Sequence, residues 1–96
     1  MLTSKQRAFL RAKANMLYPI FQIGKEGVSE NLLKGLDEAL TTRELIKVTI
    51  LESAGITARQ ASDIIKDALD AEPVQCIGRK IVFYRESEEH KLIELP

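Results

Sequence analysis

The apolar positions of this chain switch between helical and strand spacing several times. From about Thr3 to Met16, strong helix formers follow two N-cap candidates, Thr3 and Ser4, and predict a first helix. At 100° per residue, Leu2, Phe9, Met16 and Leu17 fall toward one side of it and Arg7 and Arg11 toward the other. Pro19 closes this region, because proline drives its predecessor out of helical geometry, and Ile20 to Ile23 reads as a first strand. Ser29 then caps a second helix, with Leu32, Leu33, Leu36, Ala39 and Leu40 at helical spacing. Glu44 to Ile50 alternates as a strand with Ile46, Val48 and Ile50 on a buried face and Lys47 and Thr49 on a partly wet one.

Gly55 separates that strand from a third helix opened by a capping box at Thr57-Ala58-Arg59-Gln60, with an apolar stripe of Ala61, Ile64, Ile65, Ala68 and Leu69. After Pro73, two strands, Val74 to Ile77 and Lys80 to Tyr84, are joined by Gly78-Arg79, a two-residue hairpin turn with glycine at its first central position. Tyr84 alternates with Phe83, so one ring is expected inward and the other outward. Residues 86–96 form an acidic tail whose Leu92, Ile93 and Leu95 have the option of folding back on the body.

The predicted order is α-β-α-β-α-β-β, an α/β domain in two layers. Its two βα units give parallel neighbours and the hairpin adds an antiparallel strand, making a mixed four-stranded sheet. Ninety-six residues, 45% of them hydrophobic, suffice for one domain, 1–96, and leave no room for a second. No apolar run approaches the roughly 20 residues that cross a bilayer, and charges interrupt the N-terminal segment where a signal peptide would be apolar. With a single cysteine, Cys76, the expectation is a cytoplasmic protein without an internal disulfide. Nothing in the pattern demands a dimer, so a monomer is expected.

Formal charge is zero overall, but it is polarised along the chain. Residues 1–25 hold five bases and no acid, whereas the remainder holds nine bases and fourteen acids. Such an arrangement suits a protein that turns one face to a polyanion. The basic segment ends in Gly24-Lys25-Glu26-Gly27, a GxxG loop between a strand and a helix. Glycines admit positive φ and close approach of a bulky partner, the N-terminus of the next helix offers N–H groups, and Lys25 adds a full charge. A nucleic-acid phosphate is the ligand these features suit best.

Catalysis finds no comparable constellation. His90 sits in the acidic tail as a solvated side chain, and Cys76 alternates onto the face of Val74, where a buried thiol is expected. No metal-ligand spacing, G-x-S-x-G or P-loop occurs, and Asp63, Asp67 and Asp70 read as a solvated helix face. The expectation is a non-enzyme without a cofactor.

Three blocks in this order carry a resemblance: Gly24-Lys25-Glu26-Gly27 after a strand, Glu44-Leu45-Ile46-Lys47-Val48 in the second strand, and Ile77 to Arg85 at the hairpin. Together they resemble the CRM domain, the RNA-binding module named for chloroplast RNA splicing and ribosome maturation, and within it the bacterial stand-alone, YhbY-like members. The likeness extends from Leu2 to Arg85. It implies a fold similar to the C-terminal domain of translation initiation factor three, a GxxG loop used as in KH domains, and ribosomal RNA in precursors of the large subunit as partner. Gly24, Lys25 and Gly27 match the family loop, Lys47 its second strand, and Tyr84 and Arg85 the end of its last strand. Glu26 and Tyr18 depart from it, the latter standing where many members carry lysine.

The expected RNA-binding set is therefore Gly24, Lys25 and Gly27 in the loop, Lys5, Arg7 and Arg11 on the first helix, and Lys47, Arg79, Lys80, Tyr84 and Arg85 on or beside the sheet. Tyr84 is placed to stack on a base. The alternative is a module that docks on a ribosomal protein or assembly factor through the same surface, without touching RNA.

Overall fold

The computed structural model of the chain describes residues 2–96. Helix α1 runs Ser4–Ala14, strand β1 Phe21–Ile23, helix α2 Glu30–Arg43, strand β2 Leu45–Ile50, helix α3 Ala58–Leu69, and strands β3 and β4 Glu72–Ile77 and Lys80–Tyr84. A 3₁₀ turn, Glu52–Ala54, links β2 to α3. The sheet order is β1-β2-β4-β3, with β1 parallel to β2 and both other pairings antiparallel. The expected helix and strand order and the mixed four-stranded sheet are all present.

Local chemistry sets the helix starts. Thr3 and Gln6 form a reciprocal capping box at α1, Thr57 and Gln60 form another at α3, and the Ser29 hydroxyl accepts from the Leu32 N–H at α2. Of the two candidates for the first cap, Thr3 is the one used. Helix α2 presses closely on the sheet at Gly35, where a Cβ would stand 3.0 Å from the Phe21 ring.

Two apolar clusters flank the sheet. Ile46, Val48, Ile50, Ile81 and Phe83 point to one side, where they pack with Leu36 and Leu40 of α2 and Ala61 and Ile65 of α3. Leu45, Val82, Tyr84 and Val74 point to the other, where they meet Leu10 and Ala14 of α1 and Ile93 of the tail. The two expected layers are thus α2 and α3 against the sheet, and α1 with the tail adds cover over one end of its second face. This addition explains the first correction: Tyr84 is 5% exposed rather than turned outward. Strand β4 is covered on both sides there, so Phe83 enters one cluster and Tyr84 the other.

Four smaller corrections have equally local causes. The stripe of α1 is centred on Leu10 and Ala14, and the helix ends before Met16, which is exposed instead of sharing a side with Phe9. Arg7 lies about 60° from Leu10 on the helical wheel, so it faces the body rather than standing opposite the apolar side. Cys76 is exposed, because the register shifts between Pro73 and Gln75, and one extra residue moves it off the face of Val74. Ile64 and Ala68 are exposed on α3, where Ser62 is buried in their stead.

Candidate nucleic-acid interface

At the end of the sheet where β1 and β2 finish, three loops meet. The Leu51 N–H donates to the Ile23 carbonyl and the Ile50 N–H to the Arg79 carbonyl, each at 2.8 Å, which ties the loop after β2 to both the GxxG loop and the hairpin turn. Within the GxxG loop the Gly27 N–H donates to the Gly24 carbonyl at 2.8 Å, closing a four-residue turn with Lys25 and Glu26 at its exposed tip. Gly27 has φ 67° and needs to be glycine; Gly24 does not adopt positive φ, and a Cβ there would only touch Leu51 and Ser53 at ordinary distances. Beneath the loop lies an open concavity lined by Gln22, Lys25, Glu26, Ser29 and Leu32. Among the described residues no acid pairs with Lys25.

The second face of the sheet continues from this end. Strand pairing puts Gln22 beside Thr49, Thr49 beside Lys80, and Lys47 beside Val82. Gln22 and Lys80 are exposed, and Lys47 and Thr49 are half-buried. Alternation therefore lays two lysines, an amide and a hydroxyl on the face that α1 leaves uncovered. Lys5 and Arg11 are exposed on α1. Arg79 is also exposed, but at 2.9 Å from Glu52 it already has an anionic partner.

Three predicted residues are engaged elsewhere. Arg7 donates to the backbone carbonyls of Pro73 and Val74 and fastens α1 to β3. Arg85 donates to Asp37 Oδ1 at 2.8 Å, to the Asp37 and Leu69 carbonyls and to the Thr41 hydroxyl, joining β4 to α2 and α3. Tyr84 has no exposed ring to stack. Burial first, and then the carboxylates of Glu44 and Glu86, raise its phenol above the usual value.

Pattern reading missed one buried and fully bonded residue. Glu44 caps α2 with φ 63° and ψ −38° and is wholly buried. Its Oε2 accepts from the Ser87 N–H at 2.8 Å, and its Oε1 accepts from Leu92 and Ile93 at 2.6 and 2.8 Å. Burial raises the pKa of this carboxyl, but the three N–H groups and Lys91 together outweigh burial and hold it below the ordinary value. Ser87 adds a 2.6 Å bond to the Thr41 carbonyl, so the tail is fixed at both ends. A buried acid between a helix and a strand gives no periodic signal.

No cluster of metal-ligating side chains occurs among the described residues, and no helix there is long and apolar enough to cross a membrane. Chain comparison supplies the family. The model of the CRS1 / YhbY (CRM) domain matches residues 2–85. The chain belongs to this family. Among its relatives, "Probable RNA-binding protein YqeI" of Bacillus subtilis is 48% identical over 96 residues, covering all of both chains. An "RNA-binding protein" of Haemophilus influenzae is 38% identical, over 99% of this chain and 95% of that one. The solution structure of the hypothetical protein SAV1595 from Staphylococcus aureus superimposes with a TM-score of 0.79 at 45% identity, over the whole of both chains.

Proposed function

We propose that this protein binds RNA without catalysing a reaction, and that its target is ribosomal RNA in precursors of the large subunit. In this reading the chain acts as a cytoplasmic monomer. One observation carries it: an exposed Lys25 at the tip of a glycine-closed turn, continuous with the part of the sheet face that holds Lys47 and Lys80. A phosphate chain needs point charges and unobstructed backbone approach, and this surface supplies both. Lys5 and Arg11 on α1 extend the positive surface, while Arg7, Tyr84 and Arg85 serve the fold instead.

The ribosomal target rests on the family resemblance, and RNA binding draws support from the names of the relatives. Sedimentation of lysate through a low-salt gradient tests both. Co-migration with large subunits or their precursors, lost at high salt and on Lys25→Ala, is the expected result. Residence at the top of the gradient at every salt concentration refutes the ribosomal target.

A further inference from the structure

The connection between α1 and β1 carries an aromatic side chain that the fold does not use. Tyr18 is 86% exposed and Met16 83%, with Ile20 beside them partly exposed. This is not a slack loop. The Met16 and Leu17 N–H groups donate to the Lys13 and Ala14 carbonyls, and the Ile20 N–H donates to the Lys47 carbonyl at 2.9 Å. Leu17 is half-buried against the α1 cluster while its neighbours on both sides face water. A backbone fixed at both ends therefore holds a flat ring in solvent.

The surroundings of that ring are uniform in charge. Three adjoining concavities run past Met16, Tyr18 and Ile20, and their lining includes Lys13, Arg43 and Lys47 but no aspartate or glutamate. One of them shares Gln22 with the hollow under the GxxG loop, so the two surfaces are continuous along β1, the edge strand of the sheet. Tyr18 and Lys25 are seven positions apart in the chain, which limits their backbones to about 25 Å apart. An exposed aromatic face among cations, with bases spaced around it, matches what a single nucleic-acid strand requires: a surface for the base and positive charge for the phosphates on either side. A double helix does not fit the same description, because its bases are already stacked.

We propose that Tyr18 is a stacking platform for one unpaired base of the bound RNA, with Lys13, Arg43 and Lys47 holding the adjacent phosphates. This rests on the RNA-binding reading and adds to it a preference for single-stranded or looped segments.

The test uses the full chain with a single-stranded RNA oligonucleotide carrying 2-aminopurine, and a duplex of the same sequence. Binding of the single strand should quench the fluorophore. Tyr18→Ala should abolish the quench and weaken single-strand binding about tenfold, in line with the loss of one base–aromatic stack. Duplex affinity and the salt dependence should not change, and Tyr18→Phe should restore both quench and affinity. If Tyr18→Ala binds the single strand as the wild type does while Lys25→Ala binds weakly, the platform is refuted and the RNA-binding reading stands. If the wild type binds neither RNA, both fall. If poly-glutamate rather than RNA is the ligand whose binding Tyr18→Ala removes, the patch takes an acidic protein and the proposal is overturned.

Discussion

The two ends of β2 handle charge in opposite ways. At the Glu44 end, three ionic side chains are used up inside the molecule, Glu44 on three tail N–H groups, Arg85 on α2 and α3, and Arg7 on β3, while Arg43 stays exposed. At the Ile50 end, Lys25 and Lys80 stand in solvent, and Arg79 has only an exposed carboxylate as partner. The sequence shows the same residue types at both ends. What separates a fold-holding cation from one available to a ligand is whether backbone carbonyls and neighbouring side chains already engage it, as they do Arg7 and Arg85.

Substitutions at the two ends should therefore fail differently. The largest effect is expected at Glu44→Ala, which leaves three N–H groups without their acceptor; a loss of about 3 kcal/mol or more in denaturant unfolding is expected. Glu44→Gln should cost less but still destabilise, because an amide offers one acceptor oxygen where two are used. The carboxyl is also held below its ordinary value of about 4.5, so its contribution is fully present above that pH and disappears as pH falls through the lowered native value. In Glu44→Gln this component of acid sensitivity should vanish. Identical acid profiles for the two proteins would refute the assignment.

Next in size, Arg85→Ala should destabilise by about 1–3 kcal/mol, since it removes bonds to two elements at once. Its RNA salt dependence should match the wild type; a flatter slope would mean that Arg85 contacts phosphate after all. Gly27→Val should cost about 1–2 kcal/mol of stability for forcing a β-branched residue to φ 67°, and should also reduce RNA affinity. Lys25→Ala, the smallest in stability, should stay within about 0.5 kcal/mol. It should nevertheless flatten the slope of log affinity against log salt by about 0.7, one single-strand phosphate contact. Together these variants separate stability at one end of β2 from binding at the other.

Local signals were legible wherever neighbours in sequence are neighbours in space. The Thr57–Gln60 capping box, the Ser29 cap, the Gly78-Arg79 turn and the inward set Ile46, Val48 and Ile50 follow from spacings of two to four residues. Tyr84 was misjudged because the strand period says which residues share a face, not what later covers it, and Arg7 because the stripe of α1 centres on Leu10 and Ala14. The second face of the sheet is covered by the two chain ends, a contact between positions some eighty residues apart that periodicity does not record. Cys76 was lost to a single extra residue in β3. At the candidate interface, the GxxG loop, Lys47 and Lys80 were readable from order and alternation. Gln22 and Thr49 join the face only through the pairing of three strands, and the uncovered ring of Tyr18 depends on where α1 stops.

The way Glu44 holds the tail has a consequence for how this segment can change over time. Its carboxylate accepts from main-chain N–H groups alone, so it is indifferent to which side chains pass by at Leu92 or Ser87. What it fixes is the count of residues between its first and last donors. Substitutions at the exposed Glu88, Glu89 and His90 leave that count intact, and their identity is free to drift. Loss or gain of one residue there moves every later N–H off its acceptor. The segment should therefore tolerate changes in spelling far better than changes in length.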